Sequence, residues 1–324
     1  MTVHVVPQLA ASLKDAVHPG GAPCVCDAAV TLADRPDATV LRHAGVVAKA
    51  HAPGTDPAGL ALRLATAARV PDVFVPPLDT TPTMLGDRPT TLWPYGTPVD
   101  PHAPDSAPWE AAGALLARLH RTPVAGAVTA TLSAAPAPPA MRGPVRAARA
   151  LTRLRAALTT AQAAAALPVL RAWTALPGWA RAAAPLPGPG TLCHGDLHLG
   201  QLVRHPAPDG PWRLIDVDDL GVGVPAWDLA RPAAWYACGL LPPDDWTRFL
   251  TAYRAAGGPA VPAEGDPWPA LDVPARALTA QTAALAIIKA LAADRPLDEV
   301  ERALVDACAR MDRAPSELTP GFPK

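Results

Sequence analysis

Two aspartates and one carboxamide stand at a spacing that could serve phosphate chemistry. They lie in the stretch from Thr191 to Ala230, TLCHGDLHLGQLVRHPAPDGPWRLIDVDDLGVGVPAWDLA, as Asp196, Gln201 and Asp216. One carboxylate can orient a hydroxyl group and take its proton. A second carboxylate with a neutral oxygen donor can hold Mg²⁺ against phosphates, because that cation prefers hard oxygen ligands. On this reading Asp196 is the base, while Gln201 and Asp216 are the metal ligands. His194 is read as a brace of the loop through hydrogen bonds, and Asp228 as a helix cap or a tie for the loop backbone. Asp218 and Asp219 either touch a second metal or face solvent. His198 is read as a structural or substrate-side histidine, since no HxxxH helix with a third ligand accompanies it.

The elements that must position these groups follow from pattern. Gln201–Arg204 and Trp212–Ile215 are apolar strand-like pieces around a turn at Asp209 and Gly210, a hairpin that would gather the three polar side chains at its open end. Residues 24–33, 39–51, 73–79 and 90–96 read as strands between Gly, Pro and Asp breaks. Between them, Asp56 to Val70 places Leu60, Leu64 and Ala67 at helical spacing, with Asp56 and Pro57 as a start signal. From Pro108 the chain turns helical: WEAAGALLARLH, VRAARALTRLRAAL, then an Ala-rich stretch to about Ala184. The Pro/Ala-rich segment 133–146 reads as an exposed connection. The expected division is a strand-rich lobe over 1–96 and a helical lobe over 97–324 that carries the loop block 191–230 and the acceptor site.

Composition narrows the partners. The chain has 324 residues, half of them apolar, and a net charge of −1, without a long basic block. Nucleic acid and anionic lipid are therefore not the expected partners, and a small molecule is. The oligomeric state is not legible. Arg outnumbers Lys 24 to four, which singles out Lys49 for attention. Asp outnumbers Glu 24 to five, and the first Glu is Glu110, so any earlier carboxylate must be an Asp. The start of the chain lacks the basic and apolar stretches of a secretory signal, and Cys24, Cys26, Cys193, Cys238 and Cys308 are scattered. A cytoplasmic location is expected. Cys24 and Cys26 alone are too close and isolated to indicate a metal site.

HGDLHLGQ followed by LIDVDDLGVGVPAWDLA resembles the signature of aminoglycoside phosphotransferases and choline-kinase-like enzymes, a small-molecule branch of the protein-kinase-like fold. The resemblance implies an α+β, bilobal architecture: a small antiparallel sheet with one main helix, and a larger, mostly helical lobe. It implies transfer of the γ-phosphate of ATP, with Mg²⁺, to a hydroxyl of a small polar molecule, foremost an antibiotic of the aminoglycoside type. It also implies that Lys49 grips the α and β phosphates and that the backbone from Trp93 to Tyr95 meets the adenine. Gln201 stands where the family usually has Asn, a substitution similar to maltokinase and glucosamine kinase relatives, so a sugar or amino sugar is the alternative acceptor. Two further departures are the lack of a Glu before residue 110 to pair with Lys49, leaving Asp56 or water, and the lack of a G-x-G-x-x-G in the first lobe.

Two other classes compete. GDLH is similar to dinuclear metallophosphoesterases and IDVDD to haloacid-dehalogenase-type phosphatases, but the later ligands of the former are missing and the DxD falls late for the latter. A non-catalytic nucleotide-binding module is the third class.

Overall fold

The computed structural model describes residues 5–18, 26, 28–124 and 137–311. Cys24, the start of the Pro/Ala-rich connection and Lys324 lie outside the described residues. In chain order the first elements are α1 (Val5–Val17), β1 (Val30–Arg35), β2 (Ala38–His43), β3 (Val46–His51), α2 (Pro57–Ala68), β4 (Thr83–Leu85), β5 (Arg88–Pro94) and β6 (Thr97–Pro98). Then come α3 (Trp109–Arg121), α4 (Gly143–Ala157), α5 (Thr160–Thr174), β7 (Thr191–Cys193), β8 (Leu202–Arg204), β9 (Trp212–Leu214) and β10 (Gly221–Gly223). The last are α6 (Ala226–Ala237), α7 (Pro243–Ala255), α8 (Trp268–Ala292) and α9 (Glu299–Met311).

Two compact units emerge. The first takes the described residues up to Ala107 together with 137–139 and Gly200–Asp218. Its main sheet is antiparallel in the order β1-β2-β3-β5-β4. The predicted strand over 39–51 is in fact the hairpin β2–β3, turned at Ala44 (φ 50°) and Gly45. The predicted strand over 73–79 does not form: Phe74 makes an isolated bridge to Leu214, and Pro76 and Pro77 remove the donors a ladder needs. Asp56 caps α2 by accepting from Ala58 N and Gly59 N, and Pro at the first position suits the helix start. Leu9 and Leu13 of α1 pack on Leu41, Ala48 and Ala50 of the sheet. Burial of each leucine contributes roughly 1.5–3 kcal/mol.

Compared with a boundary after residue 96, this unit also takes up residues 97–107 and the β8–β9 hairpin. The reason is a ladder: Thr97 pairs with Arg204 and Pro98 with Val203, and β8 pairs in turn with β9.

The second unit is helical, with one short antiparallel pair, β7 with β10. Leu151, Leu154, Val169, Trp173 and Trp227 form its core with the small residues of α8. Gly113 lets α3 approach α7 closely, since a Cβ there would stand 2.3 Å from Phe249 O. Among the described residues no helix is long and apolar enough to cross a membrane.

Candidate active site

In the first unit the site is built from two adjacent ladders. Lys49 sits mid-strand on β3, between Val40 of β2 and Thr91 of β5. The β8–β9 hairpin extends by one more bond, Ile215 N to Gln201 O at 2.9 Å, so Gln201 enters the hairpin beside the point where Asp216 leaves it. Gln201 Nε2 stands 3.4 Å from Asp216 Oδ2. Asp216 adopts a left-handed conformation at φ 63°, uncommon for a non-glycine residue. Lys49 Nζ donates to Asp216 Oδ1 at 2.7 Å and lies 3.0 Å from Asp218 Oδ2. His51 Nδ1 lies 3.1 Å from the other oxygen of Asp218, while its Nε2 meets Thr91 Oγ1 at 3.0 Å.

Burial opposes the charge on Lys49, but the two carboxylates outweigh it and hold its pKa above the ordinary lysine value. Burial likewise opposes ionisation of Asp218, and Lys49 and His51 outweigh it, so the carboxyl stays well below the usual carboxylate range. The partner of Lys49 is thus neither Asp56, which is occupied at the start of α2, nor water alone. Asp218 is an ion-pair partner here rather than a solvent-facing residue.

Trp93 and Tyr95 close the other end of β5. Trp93 is buried, and its indole Nε1 donates to Thr91 Oγ1 at 3.0 Å. Tyr95 N donates to Gly45 O at 2.8 Å, Tyr95 O lies 3.3 Å from His205 Nδ1, and the ring lies under the Arg42 guanidinium.

In the second unit β7 delivers the chain into His194–Leu199. Gly195 takes φ 89°, and a Cβ there would meet Asp219 O at 2.6 Å, so glycine is required twice over. The buried carboxylate of Asp228, in the first turn of α6, accepts from His194 N at 2.6 Å and Gly195 N at 2.7 Å. It also receives His120 Nε2 at 3.0 Å. Tyr253 Oη accepts from Ala260 N at 2.9 Å, which leaves its proton for His120 Nδ1 at 2.8 Å. That chain assigns the His120 proton to Nε2, aimed at Asp228. Burial pushes the Tyr253 hydroxyl well up. His194 is buried, and its Nδ1 accepts weakly from Asp196 N at 3.4 Å.

Both oxygens of Asp196 are engaged. Arg146 Nη1 donates to Oδ2 at 2.7 Å and Arg231 Nη2 to Oδ1 at 2.5 Å. Arg231 Nε also donates to Leu197 O at 3.1 Å. Arg146 reaches Asp219 as well, and Arg142 Nε lies 3.9 Å from the same carboxylate, so Asp219 is buried and paired rather than turned to solvent. Burial raises the Asp196 pKa, but Arg146 and Arg231, helped by His198 and His194, more than reverse it. The carboxyl is ionised at neutral pH.

The hairpin therefore joins Gln201 to Asp216 and brings both to Lys49, while Asp196 is held in the second unit by its own arginines. Sequence reading missed Arg146, Arg231, His120, Tyr253 and His51. Two of them carried a signal: Arg231, three positions after Asp228 on one helix face, and His51, two positions after Lys49 on the same face of β3.

Residues 31–268 match the model of a family described as the phosphotransferase enzyme family. Among solved structures, a choline/ethanolamine kinase family protein from Mesorhizobium loti is 18% identical, with 95% of this chain and 94% of that one covered at a TM-score of 0.58. A spectinomycin phosphotransferase, solved in complex with ADP and spectinomycin, is 14% identical, with coverage of 95% and 97% and a TM-score of 0.58. A macrolide 2'-phosphotransferase from Brachybacterium faecium is 22% identical, with coverage of 95% and 99% and a TM-score of 0.50. Comparison with curated proteins finds no match. The likeness to these structures bears out the α+β, kinase-like fold.

Proposed function

The chain belongs to the phosphotransferase enzyme family, and on that premise we propose that it moves the γ-phosphate of ATP to a hydroxyl group of a small polar molecule. The observation that carries this reading is the corner where Lys49, Asp216, Asp218 and Gln201 meet. Two carboxylates and an amide oxygen are hard donors suited to Mg²⁺, and the ammonium drawn between the carboxylates marks the corner as a place for positive charge. Gln201 and Asp216 would hold the ion. When bound, it would neutralise charge on the phosphates. Lys49 supplies the cation for the α and β phosphates. The stretch from Trp93 to Tyr95 receives the adenine, for which Tyr95 O keeps a second lone pair beside His205.

Asp196 orients the acceptor hydroxyl and takes its proton. Its lowered pKa makes it a better orienting acceptor than a base in the ground state. That suits a loose transition state, in which the hydroxyl needs little deprotonation before the phosphoryl group has left its donor. His194 and Asp228 fix the loop that presents it.

For the acceptor, the likeness to a spectinomycin phosphotransferase supports an antibiotic of the aminoglycoside type. One observation favours the second reading, a sugar or a weakly charged amino sugar. Asp196 and Asp219 stand against three guanidiniums, those of Arg142, Arg146 and Arg231, which disfavours a polycation.

The test is transfer of labelled phosphate from ATP to a panel of aminoglycosides, amino sugars and neutral sugars. Asp196→Asn should lose turnover by about 10²–10⁴-fold and keep ATP binding. Unchanged turnover would overturn the assignment. Phosphate release from a simple ester without ATP would point to a phosphohydrolase, and ATP binding without transfer across the panel to a non-catalytic module.

A further inference from the structure

The first unit holds a second cluster, made of residues that take no part in the corner around Lys49 and Asp216. His18 follows the last turn of α1, His43 ends β2, and Cys26 lies between them in the chain. We propose that His18, His43 and Cys26 form a site for a late first-row divalent cation, foremost Zn²⁺, that fastens α1 to the sheet.

One ligand atom from each of the three lies within 4.8 Å of the other two. His18 Nε2 and His43 Nε2 are 3.1 Å apart. Two imidazole nitrogens on one tetrahedral zinc, at about 2.0–2.1 Å each, stand about 3.3–3.4 Å apart. To accept an ion the pair needs a small increase in separation and the transfer of the proton between the two Nε2 atoms to Nδ1 of the ring that carries it, so that both Nε2 lone pairs are free to ligate. The rings are nearly perpendicular, at 80° with centroids 5.3 Å apart, so they meet edge-on rather than stacked. His43 is buried and fixes one ligand within the sheet, while the thiol of Cys26 is exposed. A cavity of about 250 Å³ lined by Cys26, His43, Lys14 and Ala10 leaves room for a water as fourth ligand.

Imidazole and thiolate select zinc-like ions over Mg²⁺, which sets this cluster apart from the oxygen donors around Asp216. The other such group among the described residues is His120, Cys193 and Asp228. There the histidine and carboxylate are committed to hydrogen bonds, and burial holds the thiol protonated. Binding at the proposed site exchanges the Cys26 S–H proton for a metal–sulfur bond and releases that proton to water. Affinity should therefore rise with pH.

The test is Co²⁺ titration of the full-length protein with excess Mg²⁺ present, followed by visible and near-ultraviolet absorption. The expected result is one equivalent of four-coordinate cobalt with a thiolate charge-transfer band, displaced by Zn²⁺. Cys26→Ser should abolish that band, His18→Ala should weaken binding by at least about tenfold, and Cys238→Ser should change neither. The lack of a charge-transfer band at saturating cobalt, its persistence in Cys26→Ser, or parental affinity in His18→Ala would overturn the proposal. The readout is independent of phosphate transfer, so it stands or falls apart from the kinase assignment.

Discussion

Substituting Asp228 by Asn removes one carboxylate oxygen from a buried site where three donors converge. If the remaining oxygen keeps Gly195 N–H, the new amide nitrogen faces His194 N–H and His120 Nε2–H, both donors. Each orphaned buried group costs about 1–3 kcal/mol. One can be rescued: His120 can move its proton to Nδ1 and accept from the amide at Nε2. Asp228→Asn should then cost about 2–3 kcal/mol, while Asp228→Ala, with no acceptor left, should cost about 3–5 kcal/mol. At roughly 2–4 °C per kcal/mol for a unit of this size, Asn lowers Tm by about 4–12 °C. The relocated proton takes the place of the one Tyr253 gave to Nδ1 and leaves the phenol O–H without its acceptor, a conflict that Tyr253→Phe removes, so Tyr253→Phe and Asp228→Asn together should cost about 1 kcal/mol less than the sum of the singles. Urea and thermal unfolding of the four proteins measure this directly. Additivity within error, or an Asn variant as stable as the parent, would refute the network.

Three further outcomes follow from the same geometry. Gly195→Ala forces a side chain into a left-handed position and against Asp219 O at 2.6 Å; it should cost about 1–3 kcal/mol by urea unfolding and reduce phosphate transfer. Arg146→Ala removes one of the two guanidiniums that oppose burial at Asp196, so the carboxyl pKa climbs and the acid limb of the kcat/KM profile moves to higher pH, whereas Arg146→Lys should largely restore it. Asp218, with its folded pKa depressed, contributes stability that is present above the unfolded value of about 3.9 and is lost as pH falls below it. Lys49, with its folded pKa raised, contributes stability that is fully present below about 10.4 and is lost progressively as pH rises from there through its higher folded value. The pair therefore gives a plateau between those limits, and the urea midpoint of Asp218→Asn should depend less on pH between 5 and 3 than that of the parent, within about the range carboxylates titrate.

Local signals made much of the fold legible. Asp56, Pro57 and the Leu60, Leu64, Ala67 spacing state the start and the buried face of α2, and the chain obeys both. Where the reading failed, a competing term had been overlooked. A run of Val and Thr over 39–51 looks like one strand unless Ala44 and Gly45 are seen as a two-residue turn. Apolar residues at 73–75 look like a strand unless Pro76 and Pro77 are counted as lost donors. Helix α1 is marked by Val5, Val6, Leu9, Leu13 and Val17 at three- to four-residue spacing, a signal hidden by its place at the start of the chain, where an apolar stretch is first compared with an export signal.

The site was legible in the part that one supersecondary element assembles. A hairpin with matched arms must bring its entry and exit residues together, so Gln201 and Asp216 could be paired across 15 positions from strand register alone. The partner of Lys49 could not, because the choice between Asp56 and Asp216 turns on which ladder lies beside β3, and the long-range link runs through β6 to β8, two residues long and invisible as a strand. The guanidiniums on Asp196 are further from inference still. Arg146 lies 50 positions upstream on a helix whose sequence, VRAARALTRLRAAL, offers four arginines in a nearly repeating pattern, and only the rotation of α4 in the folded unit selects the one that reaches the loop. Charge around Asp196 is thus set by tertiary packing. A count of acidic and basic residues along the chain does not predict it, and the acceptor class must be argued from that packing.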